Sequence, residues 1–232
     1  MADLKYLRRL SKDYPNMMAA SAEMVNLKAI LALPKGTEYF LSDLHGENEA
    51  FIHMLKSASG TIKQKIDEHY GDQLSEKERE NLASLIYNAE FEISKQKKNI
   101  KAEKEFEEWC STQIYRLIAI CKDVSTKYTR SRVRKRLPKY MDYSMDELLH
   151  ADDGENRAHY YSEIIDTIVK AGLAESYIIA LTEVISKLAI DKLHIIGDIF
   201  DRGAHPDKIM GSSWCCLPGR RRARRGSGRL PR

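Results

Sequence analysis

The chain has 232 residues, of which 43% are hydrophobic and 31% charged, and its formal net charge is +4. This size allows one sizeable core, or a core with an inserted subdomain. Residues 211–232 hold seven arginines and no acidic residue, so the rest of the chain is net acidic. The basic balance is therefore no evidence that the whole protein binds nucleic acid.

The N-terminus has no uninterrupted apolar segment, which excludes a secretory signal there. The apolar stretch 17–33 is interrupted by Glu23 and Lys28, which is typical of a helix in a soluble protein and not of a membrane span. We therefore expect no membrane partner and a cytoplasmic location.

The four cysteines predict no metal site. Cys110 and Cys121 lie in a helical pattern and are predicted to be small apolar core residues. Cys215 and Cys216 are adjacent and lack the second Cys or His pair that a zinc site requires.

The first predicted elements are a polar lead-in over residues 1–14, with a short helix, and a second helix with Pro15 as its first residue. The run Pro34-Lys35-Gly36 ends that helix. A strand over 38–41 follows, then the loop Ser42-Asp43-Leu44-His45-Gly46 and a helix over 48–56.

The middle of the chain is rich in Lys, Glu, Leu, Ile and Tyr, and its apolar residues recur at helical spacing. Ser75 and Glu78 form a capping-box pattern. Further helices are predicted over 102–124, 160–169 and 177–188. The run 151–156 is predicted to be an exposed loop.

A second strand is predicted over 193–196, and Gly197 to Gly203 follow it as a loop. About 150 residues separate Asp43 from Asp198, whereas a simple βαβ crossover needs about 30. We therefore predict a large helical subdomain inserted between two neighbouring strands.

Both strand-end loops carry residues suited to a metal and phosphate site. Asp43 and His45 are alternate residues, so their side chains can share one ion if the chain is extended. Asp198 and Asp201 offer hard oxygen ligands, and Arg202 offers a planar fork for phosphate oxygens. Sites of α/β sheets lie at such strand ends.

These motifs and the long insert together resemble the Firmicutes-type (class III) fructose-1,6-bisphosphatases, members of the calcineurin-like metallophosphoesterases. The residues that carry the resemblance are Tyr39-Phe40-Leu41-Ser42-Asp43-Leu44-His45-Gly46-Glu47 and Ile196-Gly197-Asp198-Ile199-Phe200-Asp201-Arg202-Gly203-Ala204-His205-Pro206-Asp207. It extends from about residue 1 to Met210, and Ala204 stands where we expect Pro.

The resemblance implies an α/β fold, namely the N-terminal portion of a metallophosphoesterase domain of β-sandwich type with a large inserted helical subdomain. Residues 1–58 would supply the first strand and motif, 59–190 the inserted subdomain, and 191–210 the second strand and motif. Residues 211–232 would be an unrelated Arg-rich tail.

The resemblance also implies hydrolysis of fructose 1,6-bisphosphate to fructose 6-phosphate and phosphate at two divalent metal ions. Asp43 and His45 would bind the first metal, and Asp198 would bridge both. Arg202 would hold the phosphate, and Asp201 would orient a catalytic His from a later Gly-Asn-His motif. The mixed nitrogen and oxygen ligands favour Mn²⁺ over Mg²⁺ or Fe²⁺.

That later motif is absent, since the last Asn is Asn156 and the last His is His205. The family is much longer than this chain. We therefore expect a truncated fragment that carries half of a phosphatase site, binds one metal weakly and has little or no activity alone.

Two other functional classes stay open. A protein or dinucleotide phosphatase shares the two motifs but lacks the long insert, and a non-enzymatic helical interaction module with a basic tail leaves the paired motifs unexplained. Other residues have structural interpretations: His194 as a core or edge residue, His205 as a loop residue, and the cations from Arg130 to Lys139 as a solvated helix face rather than a phosphate site.

The composition changes abruptly at Gly211, where residues with AT-rich codons give way to residues with GC-rich codons. Foreign DNA joined after codon 210 is the favoured interpretation. A shifted reading frame and a genuine basic tail that binds acidic surfaces or nucleic acid are the alternatives.

Overall fold

The computed structural model describes residues 3–150 and 155–216. Within these ranges it contains twelve α-helices, a short 3₁₀ turn at Ala58–Gly60 and two β-strands. The strands are β1 (Glu38–Ser42) and β2 (Lys192–Ile196). The helices are α1 (Leu4–Asp13), α2 (Met17–Leu31), α3 (Asn48–Ser57), α4 (Thr61–Tyr70), α5 (Glu76–Tyr87), α6 (Ala89–Asn99), α7 (Glu103–Ser125), α8 (Arg130–Arg134), α9 (Asp142–Leu149), α10 (Glu155–Lys170), α11 (Ala174–Ala189) and α12 (Pro206–Cys216).

The two strands pair in parallel, with Glu38 opposite Lys192 and Ser42 opposite Ile196. The crossover between them consists of the helices α3 to α11. The described part of the chain is thus mostly helical with a small parallel sheet, which is compatible with the predicted α/β class. A second sheet, as in a β-sandwich, is not among the elements of residues 3–150 and 155–216.

The main core lies among the helices and not on the sheet. Helices α7 and α11 form its centre, where Leu117, Ile178 and Leu181 are fully buried. Each buried Leu or Ile contributes about 1.5–3 kcal/mol relative to an exposed one. Cys110 and Cys121 are buried free thiols in this core, which confirms their predicted role.

The capping box at the start of α5 is confirmed. The Ser75 Oγ accepts from the Glu78 N–H, and the Glu78 carboxylate accepts from the Ser75 N–H. The apolar spacing continues past residue 87, but Asn88 has φ −148° and ψ 67° and separates α5 from α6.

Two boundary predictions are wrong. Pro15 lies outside α2, because the Oδ1 of Asn16 accepts from the Ala19 N–H at 2.9 Å and makes Asn16 the N-cap. Residues 155 and 156 belong to α10 and not to a loop. The rest of that predicted loop, residues 151–154, lies outside the described residues, as do residues 217–232 of the Arg-rich tail.

An ion pair joins the helical subdomain to the entrances of both strands. The Lys127 Nζ lies 2.9 Å from the Asp191 Oδ2 and donates to the Thr37 Oγ1 at 3.0 Å. The Thr37 N–H donates to the same Asp191 oxygen at 2.9 Å. Because Thr37 precedes β1 and Asp191 precedes β2, this ion pair helps to set the register of the two strands.

Helices α1 and α2 contain no buried residue. Among the residues that the structure describes, no helix combines the length and apolar composition needed to span a membrane.

Candidate functional site

The two motif loops meet at the carboxyl ends of β1 and β2. The Asp43 N–H donates to the Ile196 carbonyl at 3.3 Å, and the His45 N–H donates to the Asp198 carbonyl at 3.0 Å. The Gly203 N–H then donates to the His45 carbonyl at 2.5 Å. These bonds extend the strand pairing into the loops, so residues about 150 positions apart share one edge of the sheet.

The loop backbone is strained where the candidate ligands lie. Asp43, His45 and Arg202 have φ values of 51°, 47° and 66°, in the left-handed region that non-glycine residues rarely adopt. The extended backbone expected between Asp43 and His45 is therefore wrong. Each left-handed conformation costs on the order of 1–3 kcal/mol and persists only where neighbouring structure imposes it. Clustered strain of this kind is typical of functional sites.

Two glycines permit the close approach of the loops. Gly46 has φ 74°, and a Cβ there would lie 2.7 Å from the Gly203 carbonyl oxygen. Gly197 has φ 102°, and a Cβ there would collide with the Asp43 carboxylate. A side chain at either position is excluded both by the backbone conformation and by space.

One side-chain pair crosses between the loops. His45 Nδ1 lies 2.6 Å from Asp201 Oδ1. The hydrogen bond with His45 holds the pKa of Asp201 below its usual value. With Nδ1 donating to this carboxylate, Nε2 is the ring nitrogen left to bind a ligand, as in many metal-binding histidines.

The pairing of Asp201 with His45 was missed by sequence reasoning, which assigned Asp201 to a later histidine. The available signal was the shared strand edge, which predicted that both loops come together. It did not predict which side chains would meet, because that depends on the left-handed turns at Asp43 and Arg202.

The other predicted residues lie at the same edge but are open to solvent. Asp43 and Asp198 are exposed. The Arg202 side chain is 79% exposed, and its Nε lies 3.5 Å from the Asp201 Oδ2. It is therefore accessible to a phosphate group in this arrangement.

The donor types of this edge suit a divalent metal, since carboxylate oxygens and an imidazole nitrogen are ligands of Mn²⁺, Mg²⁺ and Fe²⁺. Within residues 3–150 and 155–216, however, no three His, Cys, Asp or Glu side chains are grouped closely enough to hold an ion. The described residues thus supply suitable ligands without a complete coordination shell.

Helix α3 begins directly after the first loop, and its first residue, Asn48, was not singled out from the sequence. Its Oδ1 is shielded from solvent and has no hydrogen-bond partner in the described part of the chain. Beneath the loops, Leu44, Phe51 and Ile209 form a small buried cluster that joins α12 to α3. This cluster supports the loops from the side of the sheet that faces the helices.

The remaining candidate residues have structural partners. His194 stacks on Phe40 with ring centroids 4.5 Å apart, on the outer face of the sheet. The His205 N–H donates to the Gly46 carbonyl at 3.3 Å. Of the basic cluster, Arg130 pairs with Asp146 at 2.9 Å and Arg132 lies 3.6 Å from Asp191.

Comparison with known proteins identifies the family. A sequence model of the Firmicute fructose-1,6-bisphosphatases matches residues 5–213. Fructose-1,6-bisphosphatase class 3 of Clostridium tetani and of Clostridium acetobutylicum are each 52% identical over 211 residues, and that of Alkaliphilus metalliredigens is 50% identical over 212.

Each of these matches covers 90% of this chain but only 31% of the relative, so the chain spans about a third of the length of the curated relatives it matches. No solved structure matches it. The family match covers both strands, both motif loops and the helices between them, and the chain therefore belongs to the Firmicute fructose-1,6-bisphosphatase family, as an N-terminal part of it.

Proposed function

We propose that this chain supplies the N-terminal half of a metal-dependent phosphomonoesterase site that hydrolyses fructose 1,6-bisphosphate to fructose 6-phosphate and phosphate. Asp43, His45 and Asp198 would hold the divalent metal ions, through two carboxylates and one imidazole. Asp201 fixes the orientation of His45, and Arg202 binds the phosphate. The substrate is a small sugar bisphosphate, and neither a membrane nor a nucleic acid takes part.

The observation that carries the proposal is the joining of the two motif loops by backbone hydrogen bonds, with the His45–Asp201 pair across them. The strained backbone at Asp43, His45 and Arg202 supports it, since such conformations cluster at functional sites. The names of the relatives support the choice of substrate.

Mn²⁺ is the proposed metal, with Mg²⁺ or Fe²⁺ as alternatives, because the ligand set combines imidazole nitrogen with carboxylate oxygen. Bound at this edge, a metal pair supplies a nucleophile at neutral pH and neutralises phosphate charge. The chain's own contribution is to hold the ligands through the loops and to bind the phosphate oxygens through Arg202.

We infer that residues 1–232 supply only part of the site. No Asn follows Asn156 and no His follows His205 in these residues, so residues 206–232 add no further imidazole ligand. The proposed division is 1–58 and 191–210 for the two motif-bearing parts, 59–190 for the inserted helical subdomain and 211–232 for the tail. The cytoplasm is the proposed location.

A fusion protein tests the function. Residues 1–210 are joined to the part of the C. acetobutylicum relative that follows its matched region, and phosphate release from fructose 1,6-bisphosphate is measured with Mn²⁺. We expect hydrolysis by the fusion and little or none by the chain alone. Asp198→Asn should lose more than about a hundredfold in activity, because loss of a mere supporting partner of a metal ligand already costs about 10–100-fold. Asp72→Asn, an exposed carboxylate in the helical subdomain, is the matched control.

Two results would contradict the proposal. Full activity of the Asp198→Asn fusion would remove the assigned metal role. Appreciable Mn²⁺-dependent hydrolysis by the unfused chain would show that the site is not a half-site.

A further inference from the structure

Helix α2 is apolar on nearly all sides and yet unburied. Its apolar residues are distributed around the helix and not along one face, which is typical of a helix buried within a larger protein. The exposure of its large apolar side chains is 82% for Met17, 79% for Met18, 59% for Met24, 67% for Val25, 50% for Leu27, 49% for Ile30 and 84% for Leu31.

The outer face of the sheet is a second uncovered apolar surface. Tyr39 and Leu193 point to the helical side, whereas Phe40 and Ile196 on the other side are 62% and 58% exposed. Phe200, in the loop after β2, is 70% exposed. We call α2 together with Phe40, Ile196 and Phe200 the open surface.

The sheet part of the open surface, Ile196 and Phe200, adjoins the candidate ligands. Ile196 lies two residues before Asp198, and Phe200 lies between Asp198 and Asp201. A partner that covers these apolar side chains is therefore placed beside the loop that carries half of the proposed site.

The relatives indicate what covers this surface. The family match spans residues 5–213 and so includes α2, both strands and Phe200. The chain represents only 31% of each relative, so roughly two thirds of the family polypeptide lies outside it. A membrane is a poor occupant, since α2 has 15 residues and about 20 are needed to cross a bilayer.

We propose that the open surface is a docking site for the C-terminal two thirds of the family polypeptide, and that the two pieces associate without a covalent bond and complete the site in trans. The completion of the site rests on the proposed function, whereas the docking does not. The area required for a stable interface is roughly 1,200–2,000 Å², to which an apolar helix and a sheet face both contribute.

The test is co-expression of the intact 232-residue chain with the unmatched C-terminal part of the C. acetobutylicum relative. We expect a 1:1 complex by size-exclusion chromatography with light scattering, and Mn²⁺-dependent phosphate release by that complex. The fusion of the same partner to residues 1–210 is the positive control, because its activity shows that the partner polypeptide is competent.

Two substitutions locate the surface. Phe40→Glu on the sheet is matched by Phe91→Glu on α6, where Phe91 is 59% exposed, and we expect at least tenfold weaker association only for Phe40→Glu. Leu31→Glu on α2 is expected to act like Phe40→Glu. Since no residue of α2 is buried, Leu31→Glu leaves the packing of the chain itself intact.

Three results would overturn the docking proposal. The first is an active fusion whose partner polypeptide forms no complex with the separate chain. The second is an equal weakening of association by Phe40→Glu and Phe91→Glu. The third is a discrete dimer of the chain that Leu31→Glu dissociates. A complex that forms while both it and the fusion are inactive supports the docking and contradicts the proposed function.

Discussion

His45 and Asp201 connect two loops that are far apart in sequence. In the proposed site, their contact decides which imidazole nitrogen is left for a metal ion. With Nδ1 bonded to the Asp201 carboxylate at 2.6 Å, Nε2 is available. The sequence predicted that Asp43, His45, Asp198, Asp201 and Arg202 would share one edge, because parallel strands align their carboxyl ends. It could not predict the side-chain partners, which follow from backbone turns of positive φ.

Removing the charge of Asp201 should weaken metal binding through His45. Asp201→Asn keeps the shape but loses the carboxylate that orients the ring, and loss of such a partner typically costs 10–100-fold in metal affinity. Calorimetric titration of the chain with Mn²⁺ measures the change, with Asp207→Asn as the control. An unchanged affinity would show that Asp201 does not position His45.

Gly46→Ala should destabilise the loop region. The new Cβ would lie 2.7 Å from the Gly203 oxygen at a φ of 74°, and strain of this kind costs on the order of 1–3 kcal/mol. Gly211→Ala is the control, since nothing lies within 4 Å of a Cβ there. Urea unfolding measures the free energy of unfolding of both variants. Equal values for Gly46→Ala and Gly211→Ala would refute the close approach of the two loops.

At the level of elements, periodicity predicted most of the long helices, including the capping box at Ser75 and Glu78. Helix α4 was missed although Ile62, Ile66 and Tyr70 are buried at four-residue spacing. The break between α5 and α6 is not apparent in the sequence, because the apolar spacing continues through it. That break depends on the backbone at Asn88, which the apolar pattern does not encode.

The Lys127–Asp191 pair predicts acid sensitivity. Burial raises the pKa of Asp191, but the hydrogen bonds from Lys127, Tyr128 and the Thr37 backbone outweigh it, so the pKa lies below its usual value. A lowered folded-state pKa adds stability that is present above the unfolded pKa of about 3.9 and is lost as the pH falls through the folded value.

Asp191→Asn should therefore lower stability at pH 7 and flatten the loss of stability below about pH 4. Urea unfolding from pH 7 down to pH 3 measures this dependence. Asp72→Asn, at an exposed site on the helical subdomain, should show the same dependence of unfolding free energy on pH as the parent protein. If the unfolding free energies of the parent and Asp191→Asn changed with pH in parallel, Asp191 would not be the source of the acid sensitivity.

The whole molecule combines a well-packed helical subdomain with an incompletely covered sheet. The helices α7 and α11 hold the core, whereas α1 and α2 bury nothing. A sheet of two strands with an open edge and an apolar outer face promotes association between chains. The sequence predicted the large helical insert between the two strands, but not that α2 would be exposed.

Hydrogen exchange of the backbone amides should differ between the helical subdomain and the sheet. Amides in α7 and α11 should exchange slowly, and those in α2, β1 and β2 much faster, because local stability follows buried apolar contacts. The isolated chain should also associate increasingly with concentration. A monomer with uniform protection and one sharp cooperative transition would contradict this description.

The most direct test of the half-site is a Mn²⁺ titration of the intact chain, followed by electron paramagnetic resonance. We predict one weak site per chain, lost in both Asp43→Asn and Asp198→Asn and kept in Asp72→Asn. Binding that survives in both site variants, or that Asp72→Asn abolishes equally, would show that the two loops do not form half of a metal centre.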